Sequence, residues 1–152
     1  MTSAALDAIQ LPFGLRPSAT LLTAGQPDAA QLRQVAEAGV KHVINLRPES
    51  EQPGEDEAGL VQALGMRYHL MPIAGAQDLN IDNVRALDRL LAEIGDAPTL
   101  FHCASSNRVG ALMALRAAWL HGESPEAALA VGRAHGLTGL EPVVRQIMGS
   151  PK

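Results

Sequence analysis

Apolar positions recur along this chain in two alternating rhythms. From Asp28 to Ala38, Leu32, Val35 and Ala36 share one helical face, Asp28 and Gln31 stand at capping-box spacing, and Gly39 is placed to stop the helix. VKHVINL follows, a β-branched run that predicts a buried strand ending near Leu46. RPESEQPGEDE, with proline, glycine and five acids, predicts a solvated loop whose last acids favour the start of a helix over Glu55 to Leu64. The rhythm then repeats. RYHLMPI predicts a strand, GAQDLN a loop, and Ile81 to Ile94 a helix with Val84, Leu87, Leu91 and Ile94 on one face and Gly95 as its stop. PTLFHC predicts a third strand, ASSNRV a short loop, and Gly110 to Leu120 an apolar helix closed by Gly122. One further helix starts at Ser124-Pro125 and another near Thr138, which has Glu141 at capping-box spacing. Near the N-terminus, ATLLTAG adds a short strand.

Strands alternating with helices imply right-handed crossovers and an α/β fold: a mostly parallel central sheet flanked by helices. A chain of 152 residues fits one such domain, with its core over about 15–148, short tails at both ends and a frayed GSPK terminus. In folds of this class ligands bind beyond the carboxyl ends of the strands. The loops after Ile73 and after Cys103 leave such ends and face one crevice.

Composition narrows the class. Hydrophobic residues make up 47% of the chain and aromatics 3%, so the core is built from Leu, Val, Ile and Ala. A net charge of −4 and the lack of any Lys/Arg run argue against a nucleic-acid binder. The first ten residues lack the basic-then-apolar pattern of a signal peptide, and the most apolar stretch, ALMALRAAWL, is too short for a membrane span. With a single cysteine, no internal disulfide forms, which suits a reducing compartment. The expectation is a cytoplasmic protein with no membrane partner.

That cysteine carries the candidate chemistry. In HCASSNRVG, Cys103 ends an apolar strand and a helix begins a few residues later. Backbone N–H groups of such a turn point inward, and the helix dipole adds partial positive charge. Both favour a thiolate, as does the guanidinium of Arg108. A tetrahedral oxyanion fits the same nest, contacted by Ala104, Ser105, Ser106 and Asn107, with two of its oxygens gripped by the planar arginine fork. The competing reading is a small buried hydrophobe. The histidine before it, the small polar residues after it and the arginine in the same turn favour a nucleophile.

HCASSNR followed by VGAL resembles the signature loop of cysteine-dependent phosphatases, a His-Cys pair and an arginine separated by five residues. TAGQPDAAQLRQVAEAGVKHVINLRPE resembles the start of the bacterial dual-specificity-phosphatase-like family, including the phosphatase-like domain of beta-lactamase-hydrolase-like proteins. The resemblance covers about residues 20–120, in order. It implies phosphomonoester hydrolysis through a cysteinyl-phosphate, no cofactor or metal, and a phosphorylated substrate such as phosphotyrosine or an aryl phosphate. It also implies a structural role for His102 and a proton donor on the loop after the preceding strand, where Asp78 stands, with Asp82 and the acids after Arg47 as alternatives. Arg47 itself is a candidate to reach the crevice.

This chain departs from the pattern at three points. Only Ala104 to Asn107, four residues, separate Cys103 from Arg108; Ser106 stands where glycine is common; and Val109 replaces a Ser or Thr. The short loop is shared with rhodaneses, so sulfur transfer is the second expectation. A phosphatase-like module that binds oxyanions without turnover is the third. His42, His69, His121 and His135 show no metal-ligand spacing.

Overall fold

The computed structural model describes residues 6–149. Of the GSPK tail expected to fray, Ser150, Pro151 and Lys152 therefore lie outside the described residues, as does the first half of the N-terminal decapeptide. Five strands form one sheet: β1 (Leu15–Ser18), β2 (Leu21–Ala24), β3 (His42–Asn45), β4 (Arg67–Leu70) and β5 (Thr99–His102). Among the described residues, six helices that lie wholly within them accompany the sheet: α1 (Ala29–Glu37), α2 (Glu57–Ala63), α3 (Ile81–Ile94), α4 (Asn107–Leu120), α5 (Pro125–Ala134) and α6 (Glu141–Met148). The sheet order is β1-β2-β5-β3-β4, with β1 antiparallel to β2 and every other pairing parallel.

Handedness explains the layers. The chain runs outward from β2 to β3 to β4 and returns to place β5 in the middle. Right-handed crossovers therefore put α1 and α2 on one face and α3 on the other. Burial follows suit. Leu22, Val43 and Leu100 pack with Leu32, Val35 and Val61 on the first face, while Ile44 and Phe101 pack with Val84, Leu87 and the buried side of α4 on the second. Because β5 is central, all four of its residues are buried, and the switch in winding direction leaves the crevice at its carboxyl end.

Several local expectations hold. Asp28 and Gln31 form the reciprocal capping box of α1, Ser124 caps α5 ahead of Pro125, and α3 has the expected span. Three differ. The antiparallel edge strand β1 has no strong apolar period; its pairing with β2 creates it. Helix α4 begins at Asn107 rather than Gly110, which moves Arg108 out of the loop and into the first helical turn. Helix α6 begins at Glu141, and Thr138 does not cap it, because the Asn107 side-chain oxygen accepts the Thr138 and Leu140 N–H groups at 2.9 and 3.2 Å.

Candidate active site

The site is built on the central strand. Cys103 follows β5 directly, its N–H bonded to Ala24 O at 3.2 Å, while His102 O accepts from Leu46 N at 3.0 Å. The flanking strands β2 and β3 thus clamp the backbone on both sides of the cysteine. Next, Gly25 bridges to Ser105. A side chain at Gly25 would place its Cβ 2.4 Å from Ala104 O, so only glycine lets the end of β2 lie this close to the loop.

Ser106 closes the turn in a left-handed conformation, φ 64°, the strain expected of a non-glycine residue there. Its hydroxyl donates to Phe13 O at 2.9 Å instead of capping α4. Phe13, at φ 53°, is the other described non-glycine residue with positive φ. The first-turn N–H groups of α4, which have no intrahelical partner, therefore carry no side-chain cap and face the end where the helix dipole is positive. Cys103 is fully buried by its surroundings. Asn107, expected as a loop contact, turns its side chain to the α5–α6 connection, which leaves its backbone as the part that can meet a ligand.

Arg108 is held by groups from two other loops. Its Nη1 donates to Glu51 Oε2 at 2.8 Å and to Ile73 O at 2.7 Å, and its Nη2 donates to Glu51 Oε1 at 2.9 Å. A guanidinium has five N–H donors. Glu51 takes the end-on pair and Ile73 a third, which leaves Nε–H and the second Nη2–H side by side on one edge. An edge of this shape matches two oxygens of a tetrahedral anion. The hydrogen bond to Glu51, with the neighbouring Cys103 adding to it, raises the proton affinity of Arg108 further, and the same bond holds the Glu51 carboxyl below its usual range.

Sequence reasoning placed Glu51 in a solvated loop whose acids were alternative proton donors, and missed its pairing with Arg108. It sits on a short 3-10 turn, Glu49–Glu51, and also receives Arg47 Nε at 3.4 Å. The Arg47-x3-Glu51 spacing directly after a strand was the available signal, since four residues span one helical turn. Arg47 does turn inward, donating to Gln26 Oε1 and to Glu51 O, both at 2.6 Å. His102 is buried beneath the loop, with Nε2 2.7 Å from Glu57 Oε2 and Nδ1 3.3 Å from Cys103 O.

The loop after β4 starts at the site, through Ile73 O. Asp78 ends a second 3-10 turn, Ala76–Asp78, and is half-buried. Its Oδ2 accepts Ala74 N at 2.8 Å, folding the carboxylate back onto its own loop. Asp82 is exposed in the first turn of α3. Beside the crevice, a cleft of about 410 Å³ is lined by Glu49, Glu55, Asp56 and Glu57. Its acids repel a second anion, so the Arg108 edge is where a single oxyanion is best received.

The family model for the phosphatase-like domain of beta-lactamase hydrolase-like proteins matches residues 15–120. The beta-lactamase hydrolase-like protein of Agrobacterium fabrum is 32% identical over 105 residues, which is 66% of this chain and 24% of that protein. That of Xylella fastidiosa (strain Temecula1) is 32% identical over 120 residues, 76% of this chain and 27% of that protein. The chain thus spans about a quarter of the length of these relatives. Among solved structures, a DUF442 protein from Shewanella putrefaciens CN-32 superposes with a TM-score of 0.71 at 22% identity, covering 97% of this chain and 96% of that one. Tk-PTP in its active form gives 0.66 at 18% identity, over 93% and 99%. P. aeruginosa TpbA in complex with pTyr gives 0.61 at 18% identity, over 90% and 82%. At these identities the structures establish a shared fold.

Proposed function

Because the chain belongs to the phosphatase-like domain family of beta-lactamase hydrolase-like proteins, we propose that it hydrolyses phosphomonoesters through a cysteinyl-phosphate on Cys103. The observation that carries this reading is Arg108, fixed beside Cys103 by Glu51 and Ile73 O with its Nε/Nη2 edge unused by either of them. Cys103 Sγ attacks phosphorus as the bond to the leaving oxygen breaks. Arg108 and the first-turn amides of α4 bind the equatorial oxygens, where charge is spread in the transition state. Asp78 gives a proton to the leaving oxygen, for which its carboxyl must exchange Ala74 N for the substrate. Water then attacks phosphorus, Asp78 takes the proton, and the S–P bond breaks to release inorganic phosphate and the thiolate.

An aryl phosphate such as phosphotyrosine is the proposed substrate class, in line with the pTyr held by TpbA. Cys103→Ser is expected to abolish turnover of an aryl phosphate, and full activity in that variant would end the proposal. Asp78→Asn is expected to lower kcat by about a hundredfold or more, the usual loss of an acid–base group.

Sulfur transfer is the second reading, favoured by one observation. Only four residues separate Cys103 from Arg108, and the turn closes through the strained Ser106. Such a loop suits a sulfane sulfur on the cysteine. Transfer from thiosulfate to cyanide needs no acid, so an Asp78→Asn variant with full thiosulfate activity and no phosphatase activity would favour it.

A further inference from the structure

We propose that Glu57 and Gln26 are positioning residues that tie the nucleophile to the anion grip, so that Cys103 and Arg108 are oriented as one unit. The inference deepens the proposed function and rests on that reading for its kinetic consequence, though not for its geometry.

The two ends of the site are joined by an unbroken chain of polar contacts. His102 Nε2 bonds Glu57 Oε2 at 2.7 Å, Glu57 Oε1 accepts Gln26 Nε2 at 2.6 Å, and Gln26 Oε1 accepts Arg47 Nη1 at 2.6 Å. Arg47 then donates to the backbone oxygen of Glu51 at 2.6 Å, and the Glu51 carboxylate forks onto Arg108. The chain begins one residue before the nucleophile and ends on the oxyanion ligand. It crosses β5, the first turn of α2, the loop after β2, the turn after β3 and the first turn of α4.

Two features favour a role in orientation over one in stability. First, the His102 and Glu57 side chains are 0% and 5% exposed. A buried pair of this kind contributes little to folding, because desolvation consumes most of its attraction, and an apolar pair of similar volume serves as well. Burial pushes the Glu57 carboxyl up, but the hydrogen bond and charge of His102, the Gln26 amide and the charge of Arg47 outweigh it and keep the carboxylate ionised. Second, the chain has only one sense. The Gln26 nitrogen faces a carboxylate and Pro27 O, and its oxygen faces a guanidinium. Neither end tolerates a flipped amide. A lesion at Gln26 therefore breaks the connection without touching Cys103 or Arg108.

The test uses orthovanadate affinity to read the grip, and the pH profile of Cys103 alkylation by iodoacetamide to read the nucleophile. Gln26→Leu is expected to weaken vanadate at least ~5-fold, to move the alkylation profile, and to lower kcat for an aryl phosphate more than it changes KM, as neighbours in one network couple. Gln26→Glu sets two carboxylates against each other, and Glu57→Gln removes one acceptor; both are expected to show the same losses. The double variant Gln26→Glu/Glu57→Gln restores each link from His102 to Arg47, because Gln at 57 accepts from His102 and donates to Glu at 26, which still accepts from Arg47; the contact to Pro27 O stays lost, as it is in Gln26→Glu alone. Recovery of both readouts in the double variant, beyond either single one, supports the proposal. Unchanged vanadate affinity and alkylation in Gln26→Leu overturns it, as does a double variant no better than the worse single one. Vanadate binding and alkylation need no turnover, so absence of phosphatase activity would end the proposed function and leave this test standing.

Discussion

Removing the Glu51 carboxylate separates two ways of reading its grip on Arg108. In the first, Glu51 orients the guanidinium, turning its Nε/Nη2 edge to the site. In the second, Glu51 is an internal anion that competes with the substrate. Glu51→Ala deletes two charge-assisted hydrogen bonds, of 2.8 and 2.9 Å, and leaves Arg108 with Ile73 O and the neighbouring Cys103. Each such bond has a net worth of about 1.5–3 kcal/mol. Glu51 is 31% exposed, so water replaces part of the loss; the expected cost is about 1.5–3 kcal/mol in total rather than their sum. At 1.36 kcal/mol per tenfold, kcat/KM falls about 10- to 150-fold. The assay pairs kcat/KM for an aryl phosphate with the Ki of orthovanadate, which should weaken in step. Glu51→Gln, which offers one acceptor and one repelling donor, should fall in between. Tighter vanadate binding in either variant, or a change under twofold, would refute the orienting role. The pair also has a pH limit. The Glu51 carboxyl is held below its ordinary value of 4.5, so its contribution is complete above that value and is lost as pH falls through the lowered one.

Three further outcomes follow from the packing. At Gly110, an added Cβ would lie 2.1 Å from Leu137 N and 2.6 Å from Gly132 O, so Gly110→Ala should cost about 3 kcal/mol. For a chain of this length that lowers Tm by about 6–12 °C in thermal unfolding, and an unchanged Tm would show that α4 and α5 can part freely. Ser106→Ala should lose about 1 kcal/mol in denaturant unfolding by orphaning Phe13 O, whereas Ser106→Gly should stay near neutral because relief of the φ 64° strain offsets the lost bond. On β3 and β4, His42 Nδ1 and His69 Nε2 lie 3.0 Å apart. Burial, Arg67 and, for His69, its partner lower both below 6.5. The unfolded chain then binds more protons between the folded and unfolded values, so stability is full above pH 6.5 and is lost as pH falls through the lowered values. Thermal unfolding from pH 8 to 5 should show this slope, and a His42→Asn variant should flatten it.

Local chemistry was legible wherever a signal lay within a few residues. The Asp28 cap, the apolar face of α3, the Ser124-Pro125 start and the strand before Cys103 each obey short-range rules that hold for a chain in isolation. Where such rules met a distant partner, they gave way. Asn107 accepts two N–H groups from the α5–α6 connection, and α6 then starts at Glu141 with no cap from Thr138. Ser106, with the composition of a cap, spends its hydroxyl on Phe13 O. The acids after Arg47 have the composition of a solvated loop, yet one of them is the partner of Arg108, 57 positions away.

The sequence by itself determined the α/β alternation and the Cys103–Arg108 loop at the end of an apolar strand, on which the proposed chemistry rests. Those properties depend on periodicity and on spacing within one strand-turn-helix unit. Only the tertiary structure decided that β5 takes the centre of the sheet and which edge of Arg108 remains for a ligand. It also decided that Gln26, Glu51 and Glu57 belong to the same site. Each of these is a choice among long-range pairings, and a buried donor or acceptor selects its partner by proximity and geometry that residue type alone does not encode.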